Sequence, residues 1–366
     1  MGKKSIVKSR LLSLDFYRGI TMFLLIAEFT HLFTYLIAPE FEGTFIYTIG
    51  MQLHHHPWNG LRFWDLIQPF FMFIVGVAMP FSYSKRLIKG ESHKKIFNHI
   101  AMRSFLLLIL GWWLYCIPER KIVFLFQNVL AQLSVTIFIA FLIMKKKASW
   151  QITFSIGLLV LTEFLYRMFW LKGFNMPFSP DHNFGAWVDM LIAGSLSEGH
   201  WVSFNAIPTT AHTIWGVLAG QLLMSNKTNK KKLLYLIIAG LTGLIIGYGL
   251  NPVTPIIKRI ATTSFVFASG GWALIALAAS YWLIDVMKIQ KGVWFFAVVG
   301  MNPLFIYIFA HIGGAELIHE VVYPFTAAFF GWTGDLSTNI IRSSIVAMAL
   351  WYICYWMYKH KLFIKI

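Results

Sequence analysis

The sequence predicts an all-α, polytopic membrane protein, and three observations lead to that fold class. Of the 366 residues, 58% are hydrophobic and only 13% are charged, a composition that is unusual for a soluble domain. The mean hydropathy is +0.65. Apolar runs of roughly 20 residues, long enough for a helix to cross a bilayer core, recur along the whole chain. Residues 1–366 are therefore predicted to form a single transmembrane domain.

About ten of these runs are predicted as transmembrane helices. In chain order they cover residues 14–37, 64–83, 99–117, 122–144, 150–170, 204–224, 233–250, 261–284, 293–312 and 339–358. The basic start MGKKSIVKSR precedes a long apolar run with no small-residue cleavage site. The first run is therefore predicted to be an uncleaved span and not a signal peptide.

Basic residues predict the orientation of the chain. Most of the 31 Lys and Arg residues fall in loops on one side of a ten-span arrangement, namely the N-terminus, 84–95, 145–147, 226–232, 288–291 and 359–365. The positive-inside rule makes that side cytoplasmic and puts both termini inside. The net charge of +16 is thus spread over short turns. Nucleic-acid binding, which needs a clustered basic surface, is not expected.

Histidines gather on the opposite, outer side. The stretch LHHHPWNG (53–60) brings His54, His55 and His56 into the first outer loop, and the last outer loop is expected to hold His311 and His319. Histidine suits proton transfer near neutral pH, so an outer-facing reaction centre is predicted. A metal site is not expected, because adjacent histidines rarely converge on one ion and no HExxH pattern occurs. The two cysteines, far apart in sequence, indicate neither a disulfide framework nor a metal site.

Ionisable residues inside the predicted spans narrow the site. Glu28 lies in the outer half of the first span, where a carboxylate usually faces a protein interior or a water-filled cavity. His31, three residues later, is expected on the same helical face. Asp15 and Arg18 are spaced as a pair at the inner end of this span. A second charge pair, at 163 and 167, is interpreted as a structural bridge in the fifth span.

The second span contains residues that interrupt a regular helix. Asp65, Gln68, Pro69, Gly76 and Pro80 all lie within residues 63–82. Proline removes an intrahelical hydrogen bond, and in lipid the freed carbonyl needs another partner. A bent helix that packs closely or lines a cavity is predicted, with Gly76 at a close helix contact.

Five segments together resemble the transmembrane acetyltransferases related to heparan-alpha-glucosaminide N-acetyltransferase. They are SLDFYRGITMFLL (13–25), HHPWNGLRFWDLIQPFFMFIVGVAM (55–79), RSFLLLILG (103–111), PIIKRIATTSF (255–265) and GMNPLFIY (300–307). The second is the most specific, since it is similar to the family's His-x-x-Trp-x-Gly pattern followed by Asp-Leu and Pro-x-Phe-x-Phe-x-x-Gly. The segments occur in the family's order and span nearly the whole chain.

The resemblance implies a transmembrane acyltransferase domain that uses cytoplasmic acetyl-CoA to acetylate the amine of a glucosamine-type sugar on the outer side. The family's active histidine stands three residues before the tryptophan, which is His55 before Trp58 here. His55 can act as a base or carry the acetyl group, and both routes stay open. Glu28 is expected to orient its imidazole or to accept a proton from it. The roles of His54 and His56, which flank His55, stay open.

The remaining candidate site residues are assigned either to the substrate or to CoA. Trp58 offers an apolar face for a sugar ring or the pantetheine arm. The expected substrate contacts are Trp58, Asn59, Asp65, Lys258, Ser264 and Asn302. The expected CoA-binding residues are Asp15, Arg18 and Arg103. The two arginines are the candidates for contact with the CoA phosphates, which arginine binds well, with Lys85 and Arg86 behind them.

The sequence departs from the family pattern in its fourth span. NVLAQLS (128–134) has Ala131 and Gln132 where many relatives have Gln and Arg, so a phosphate contact from that span is not expected. Two other functions stay open, a secondary transporter of amino sugars and a transmembrane O-acyltransferase. The expected location is a bacterial inner membrane, and the expected partners are the lipid bilayer and an amino-sugar or small oligosaccharide acceptor. A homodimer is one option for the oligomeric state.

Overall fold

The computed structural model describes residues 11–364. Within that range the regular structure is helical, apart from one isolated bridge between Asn59 and Ile257, which confirms the all-α prediction. The basic residues before Leu11 and the last lysine, Lys365, lie outside the described range. The α-helices, numbered α1 to α15 in order, are Leu12–Glu28, Leu32–Tyr35, Phe45–Gln52, Ile67–Ile88, His93–Glu119, Val129–Ile143, Ala148–Met168, Phe184–Ala193, Ala206–Met224, Asn229–Leu250, Thr263–Ser280, Val293–Val299, Pro303–Phe309, Ala315–Phe330 and Asp335–Lys359.

Seven helical runs among the described residues are long and apolar enough to cross a membrane. They are Phe63–Ile88, His93–Ile117, Ala148–Met168, Asn229–Leu250, Thr263–Val286, Pro303–Thr333 and Asp335–Lys359. A polytopic membrane protein is thereby supported. The count of ten spans and the cytoplasmic termini stay predictions.

Three of the predicted spans differ from the helices in the structure. The first run is helical to Glu28 and, after a turn, again over Leu32–Tyr35. The fourth begins at Val129, where the Asn128 side chain caps the helix by accepting from the backbone N–H of Ala131. The ninth is divided, because α12 ends at Val299 and α13 restarts at Pro303. Proline lacks the N–H of a continuous helix but suits a first turn.

The expected last outer loop is also helical. α14 covers much of the stretch after residue 312 and belongs to the run Pro303–Thr333. His319 therefore lies on a helix and not in a loop, as does His311 in the π-helical turn Ala310–Gly314. Hydropathy alone missed this helix because polar residues are interspersed with its apolar ones.

The described chain divides into two compact units. The first unit comprises residues 11–14, 58–61 and 68–287, and the second comprises 15–57, 62–67 and 288–364. The prediction of a single domain stays a prediction.

Glycines allow close helix packing in the first unit. A Cβ added at Gly76 on α4 would overlap the carbonyl oxygen of Thr213 on α9. In the same way, a Cβ at Gly216 would overlap the carbonyl oxygen of Phe73. α4 and α9 thus approach to backbone contact, as expected of small residues in membrane helices. The close helix contact predicted for Gly76 is present.

In the second unit the indole of Trp64 is the centre of a small apolar core. Trp64 is buried against Ala27, Phe33 and Ile67. These residues come from α1, α2 and the start of α4, together with the 3-10 turn Phe63–Leu66. This core fixes the backbone on which the polar residues of the second unit are arranged.

Candidate active site

A histidine–carboxylate pair lies in the second unit. The His55 Nδ1 atom is 3.0 Å from Oδ1 of Asp65. The Asp65 side chain is 1% exposed, whereas the His55 side chain is 32% exposed. A buried carboxylate thus contacts a partly exposed imidazole.

The pair is built by a short turn in the sequence. The Oδ2 atom of Asp65 accepts hydrogen bonds from the backbone N–H groups of Arg62 at 2.9 Å and His56 at 3.2 Å. The Arg62 guanidinium donates to the carbonyl oxygen of His55 at 3.0 Å. Hydrogen bonds thus connect residues 55, 56, 62 and 65 to one another. The buried Asp65 carboxyl contacts three hydrogen-bonding groups, which offsets the cost of its burial.

This geometry determines what the imidazole can do. A carboxylate oxygen accepts hydrogen bonds, so its contact places the ring proton on Nδ1 and leaves the lone pair on Nε2. The arrangement equals the histidine–carboxylate half of a hydrolase triad, in which the carboxylate holds the tautomer and stabilises the imidazolium. His55 can therefore act as a general base or nucleophile through Nε2.

Asp65 was expected to contact substrate, but the structure shows it in contact with His55. Asp65 thus occupies the position that orients the ring, which was one of the two roles expected of Glu28. Glu28 Oε1 instead accepts a hydrogen bond from the indole N–H of Trp64 at 3.2 Å. The Trp64 ring centroid lies 6.4 Å from that of His55. Glu28 therefore reaches the surroundings of His55 through Trp64.

The expectation that Glu28 and His31 share a helical face is wrong. α1 ends at Glu28, and His31 adopts a left-handed φ of 59° in the turn that follows. Its Nε2 atom is 2.7 Å from Oε1 of Glu316 on α14.

The two histidines beside His55 have different surroundings. The His54 ring donates through Nδ1 to the carbonyl oxygen of Gly50 at 2.8 Å, near the C-terminal end of α3. For His56, the backbone N–H is the group that contacts Asp65. Among the three rings, the one that contacts the buried carboxylate is thus His55.

Trp58 and Asn59 lie in the first unit. The indole N–H of Trp58 donates to the Phe178 carbonyl at 2.7 Å. Asn59 is exposed, and its backbone pairs with that of Ile257. The Trp58 ring meets His200 edge to face at 6.1 Å.

A second histidine–carboxylate pair, which the sequence did not predict, lies beside Trp58. His200 Nδ1 is 2.7 Å from Oδ2 of Asp181. Both residues have left-handed φ values, 58° and 61°. The two are far apart in sequence within the stretch 171–203, so no local spacing pattern could have paired them.

Lys258 and Ser264 have largely structural surroundings in the first unit. The Lys258 ammonium lies 5.3 Å from the centre of the Trp201 ring, and the residue is 7% exposed. The buried Ser264 hydroxyl donates to the Pro255 carbonyl at 2.9 Å. The Ser264 side chain therefore connects α11 to the loop that precedes it.

The expected CoA-side residues fall in both units. In the second unit Arg18 donates to Asp15 at 3.1 Å, which confirms the predicted pair. In the first unit Arg103 lies on α5, and Arg86 pairs with Glu91 at 2.9 Å. The predicted bridge between residues 163 and 167 is also present, at 2.6 Å.

Asn302, an expected substrate contact, holds the end of the described chain. Its amide donates to the Leu362 carbonyl at 2.9 Å and accepts from the Ile364 N–H at 3.0 Å. Asn302 is fully buried. Both ends of the amide engage the backbone of the second unit, which favours a structural role.

A buried polar network in the first unit was also not predicted from the sequence. Asp189 accepts from Gln127 Nε2 at 2.8 Å and from the Ser203 N–H at 3.0 Å. Burial, the larger effect, raises the pKa of the Asp189 carboxyl, while the hydrogen bonds from Ser203 and Gln127 oppose it. Gln132, at the position where many relatives have arginine, donates to the Gln127 carbonyl and accepts from Gln68. Uncharged side-chain amides, hydrogen-bonded to one another, thus lie where those relatives have an arginine.

Within residues 11–364, no group of three or more His, Cys, Asp or Glu side chains is arranged to hold a metal ion. The expectation of a metal-free site stays a prediction.

Comparison with known proteins gives two similar relatives. The mouse heparan-alpha-glucosaminide N-acetyltransferase is 27% identical over 379 residues, covering 85% of this chain and 56% of the relative. The human protein of the same name is 26% identical over 435 residues, covering 99% of this chain and 61% of the relative. The chain thus spans about three fifths of the length of these curated relatives. No family model matches the sequence.

Proposed function

Because the chain is a distant relative of heparan-alpha-glucosaminide N-acetyltransferase, we propose that it is an integral membrane N-acetyltransferase. It transfers an acetyl group from cytoplasmic acetyl-CoA to the amine of a glucosamine-type sugar on the outer side, in a bacterial inner membrane. The observation that carries this proposal is the contact between His55 and the buried Asp65. It gives the histidine singled out by the sequence a defined tautomer, with the ring proton on Nδ1.

His55 serves the reaction by moving a proton or the acetyl group. In direct transfer, the amine attacks the thioester carbonyl, Nε2 takes the amine proton, and the C–S bond breaks as the thiolate leaves. In two-step transfer, Nε2 itself attacks the thioester carbonyl, and the C–S bond breaks as the CoA thiolate leaves. The amine then attacks the acetyl-imidazole, and Nε2 leaves and takes the amine proton. Asp65 stabilises the imidazolium of the first route and holds the ring orientation in both.

Binding of the donor is assigned to arginines. CoA carries phosphates, which guanidinium groups bind through bidentate hydrogen bonds. Arg18, held by Asp15, and Arg103 on α5 are the candidates. Trp58 and Asn59 are the proposed contacts with the acceptor sugar, and Lys258 is a third from the same unit.

A secondary transporter of amino sugars is a second candidate. Interrupted helices mark substrate sites in many transporters, and the second unit has interruptions after Glu28 and between Val299 and Pro303. Accumulation of an amino sugar in vesicles without acetyl-CoA would favour transport. Acetylation of a hydroxyl group would instead favour an O-acyltransferase.

The proposed function is tested with labelled acetyl-CoA, purified protein and a panel of amino sugars. We expect the wild-type protein to acetylate an amine, His55→Ala to lose that activity by about 100-fold or more, and His54→Ala to retain it. Full activity of His55→Ala would exclude the central assignment. If no amino sugar of the panel were acetylated but one were taken up, the proposal of an enzyme would give way to that of a transporter.

A further inference from the structure

The short helix α8 buries its charged residue and exposes apolar ones. Its sequence, FGAWVDMLIA, contains a single ionisable residue, Asp189. That residue is 1% exposed and is hydrogen-bonded within the polar network of the first unit. Leu191, two residues later, is 69% exposed, and its neighbours Met190 and Ile192 are also exposed. A helix in water turns its charged side chains outward and its apolar ones inward, so contact with water does not account for α8.

The length of α8 is also informative. The helix has ten residues, whereas about 20 are needed to cross the hydrocarbon core of a bilayer. A short apolar helix belongs either to a buried core or to the membrane interface. Its first turn packs inside the protein, with Phe184, Gly185 and Ala186 buried. Its last turn, residues 190–192, is exposed, which leaves the interface as its environment.

The neighbouring helix α7 shows where the membrane lies. α7 is one of the runs that are long and apolar enough to cross a membrane, and it exposes the side chains of Leu161, Phe164 and Met168. Trp170, two residues after its end, is exposed as well. Tryptophan is enriched where a membrane meets water. The end of α7 therefore marks the edge of the hydrocarbon region.

α8 packs against this end of α7. The centroid of the Phe169 ring lies 4.8 Å from that of Trp187 and 5.1 Å from that of Phe184. Leu191 follows Trp187 by four residues and so lies on the same side of the helix. The exposed turn of α8 thus continues the lipid-facing surface of α7.

We propose that α8 is an interfacial helix whose last turn, residues 190–192, inserts among the acyl chains of the leaflet that borders the end of α7. The charges of the loops predict that this leaflet is the outer one. Apolar side chains of an interfacial helix are buried at the boundary between headgroups and acyl chains, while Asp189 stays within the protein. α8 thereby holds the loop 171–203, which contains the pair of Asp181 and His200, at the membrane surface. This anchoring requires a membrane but not the proposed acetyl transfer.

The accessibility of a spin label on α8 tests this proposal. In a background with Cys116 and Cys354 replaced by alanine, Leu191→Cys, Phe164→Cys and Glu198→Cys each carry one nitroxide on the full chain in lipid vesicles. All three replaced residues are exposed, so the substitutions should cost little stability. Phe164 on α7 gives the lipid reference, and Glu198, in the same loop as α8, gives the aqueous reference. Collisions with oxygen, which concentrates in hydrocarbon, and with a polar nickel chelate, which stays in water, are measured by electron paramagnetic resonance.

We expect the ratio of oxygen to nickel collisions to be several-fold higher for Leu191→Cys than for Glu198→Cys and to approach the ratio for Phe164→Cys. A ratio equal to that of Glu198→Cys would place the last turn of α8 in water and would overturn the proposal. Low collision rates with both reagents would show that protein, such as a second copy of the chain, covers this turn, and would overturn it as well. Because neither acetyl-CoA nor an acceptor is present, the result is independent of whether the protein acetylates amines.

Discussion

His55 differs from its two histidine neighbours in the atom that its ring contacts. Its Nδ1 atom contacts the buried carboxylate of Asp65, whereas the His54 ring contacts a backbone carbonyl. A ring held by a carboxylate has one tautomer and a more stable cationic form. The histidine triplet is therefore one candidate base beside two histidines with other contacts.

Replacement of Asp65 tests whether this contact matters for catalysis. Asp65→Asn preserves the size of the side chain but presents either an amide N–H or a neutral oxygen to Nδ1, so the imidazole loses its fixed tautomer. We expect acetylation to fall about 10²- to 10⁴-fold, mainly in kcat.

The matched control for that substitution is Asp181→Asn, in the pair with His200 of the first unit. It makes the same chemical change in a second histidine–carboxylate pair and should retain most of the activity. If both variants kept wild-type kcat, Asp65 would be a structural residue only.

Among the helices of the first unit, α4 and α9 make the closest contact that depends on glycine. Gly216→Leu would place a large side chain against the Phe73 backbone, and overpacking of this kind costs about 1–3 kcal/mol or more. We expect a lower apparent melting temperature in detergent. Gly157→Leu on α7 meets no atom within 4 Å of its Cβ and should leave that temperature nearly unchanged. Equal melting temperatures for the two variants would contradict the close contact.

The helices also show how far the sequence was informative. Hydropathy predicts where long apolar helices lie, because each must satisfy its backbone hydrogen bonds internally in lipid. It averages over short interruptions, so the breaks after Glu28 and before Pro303 did not emerge, although the proline is a known helix-start signal. His55 and Asp65 were both recognised as candidates. Their mutual contact depends on the turn at Arg62 and could not be read from a ten-residue separation.

For the molecule as a whole, orientation decides whether the proposed reaction crosses the membrane. The excess of Lys and Arg in alternate loops predicts that residues 226–232 face the cytoplasm and that 171–203 face outward. If the chain had the opposite orientation, the acceptor side and the acetyl-CoA side would be exchanged. Topology is therefore the condition on which transmembrane transfer depends.

Labelling of single cysteines placed on the two sides of the membrane measures the topology. In a background with Cys116 and Cys354 replaced by alanine, Lys172→Cys and Lys230→Cys each place one thiol at an exposed position. We expect a membrane-impermeant maleimide to label Lys172→Cys in intact cells and Lys230→Cys only after permeabilisation. Both replaced residues are lysines, so the two variants lose the same charge and act as controls for each other. The reverse labelling pattern would show that the orientation predicted by the positive-inside rule is inverted. Acetyl-CoA and the acceptor would then have to exchange sides.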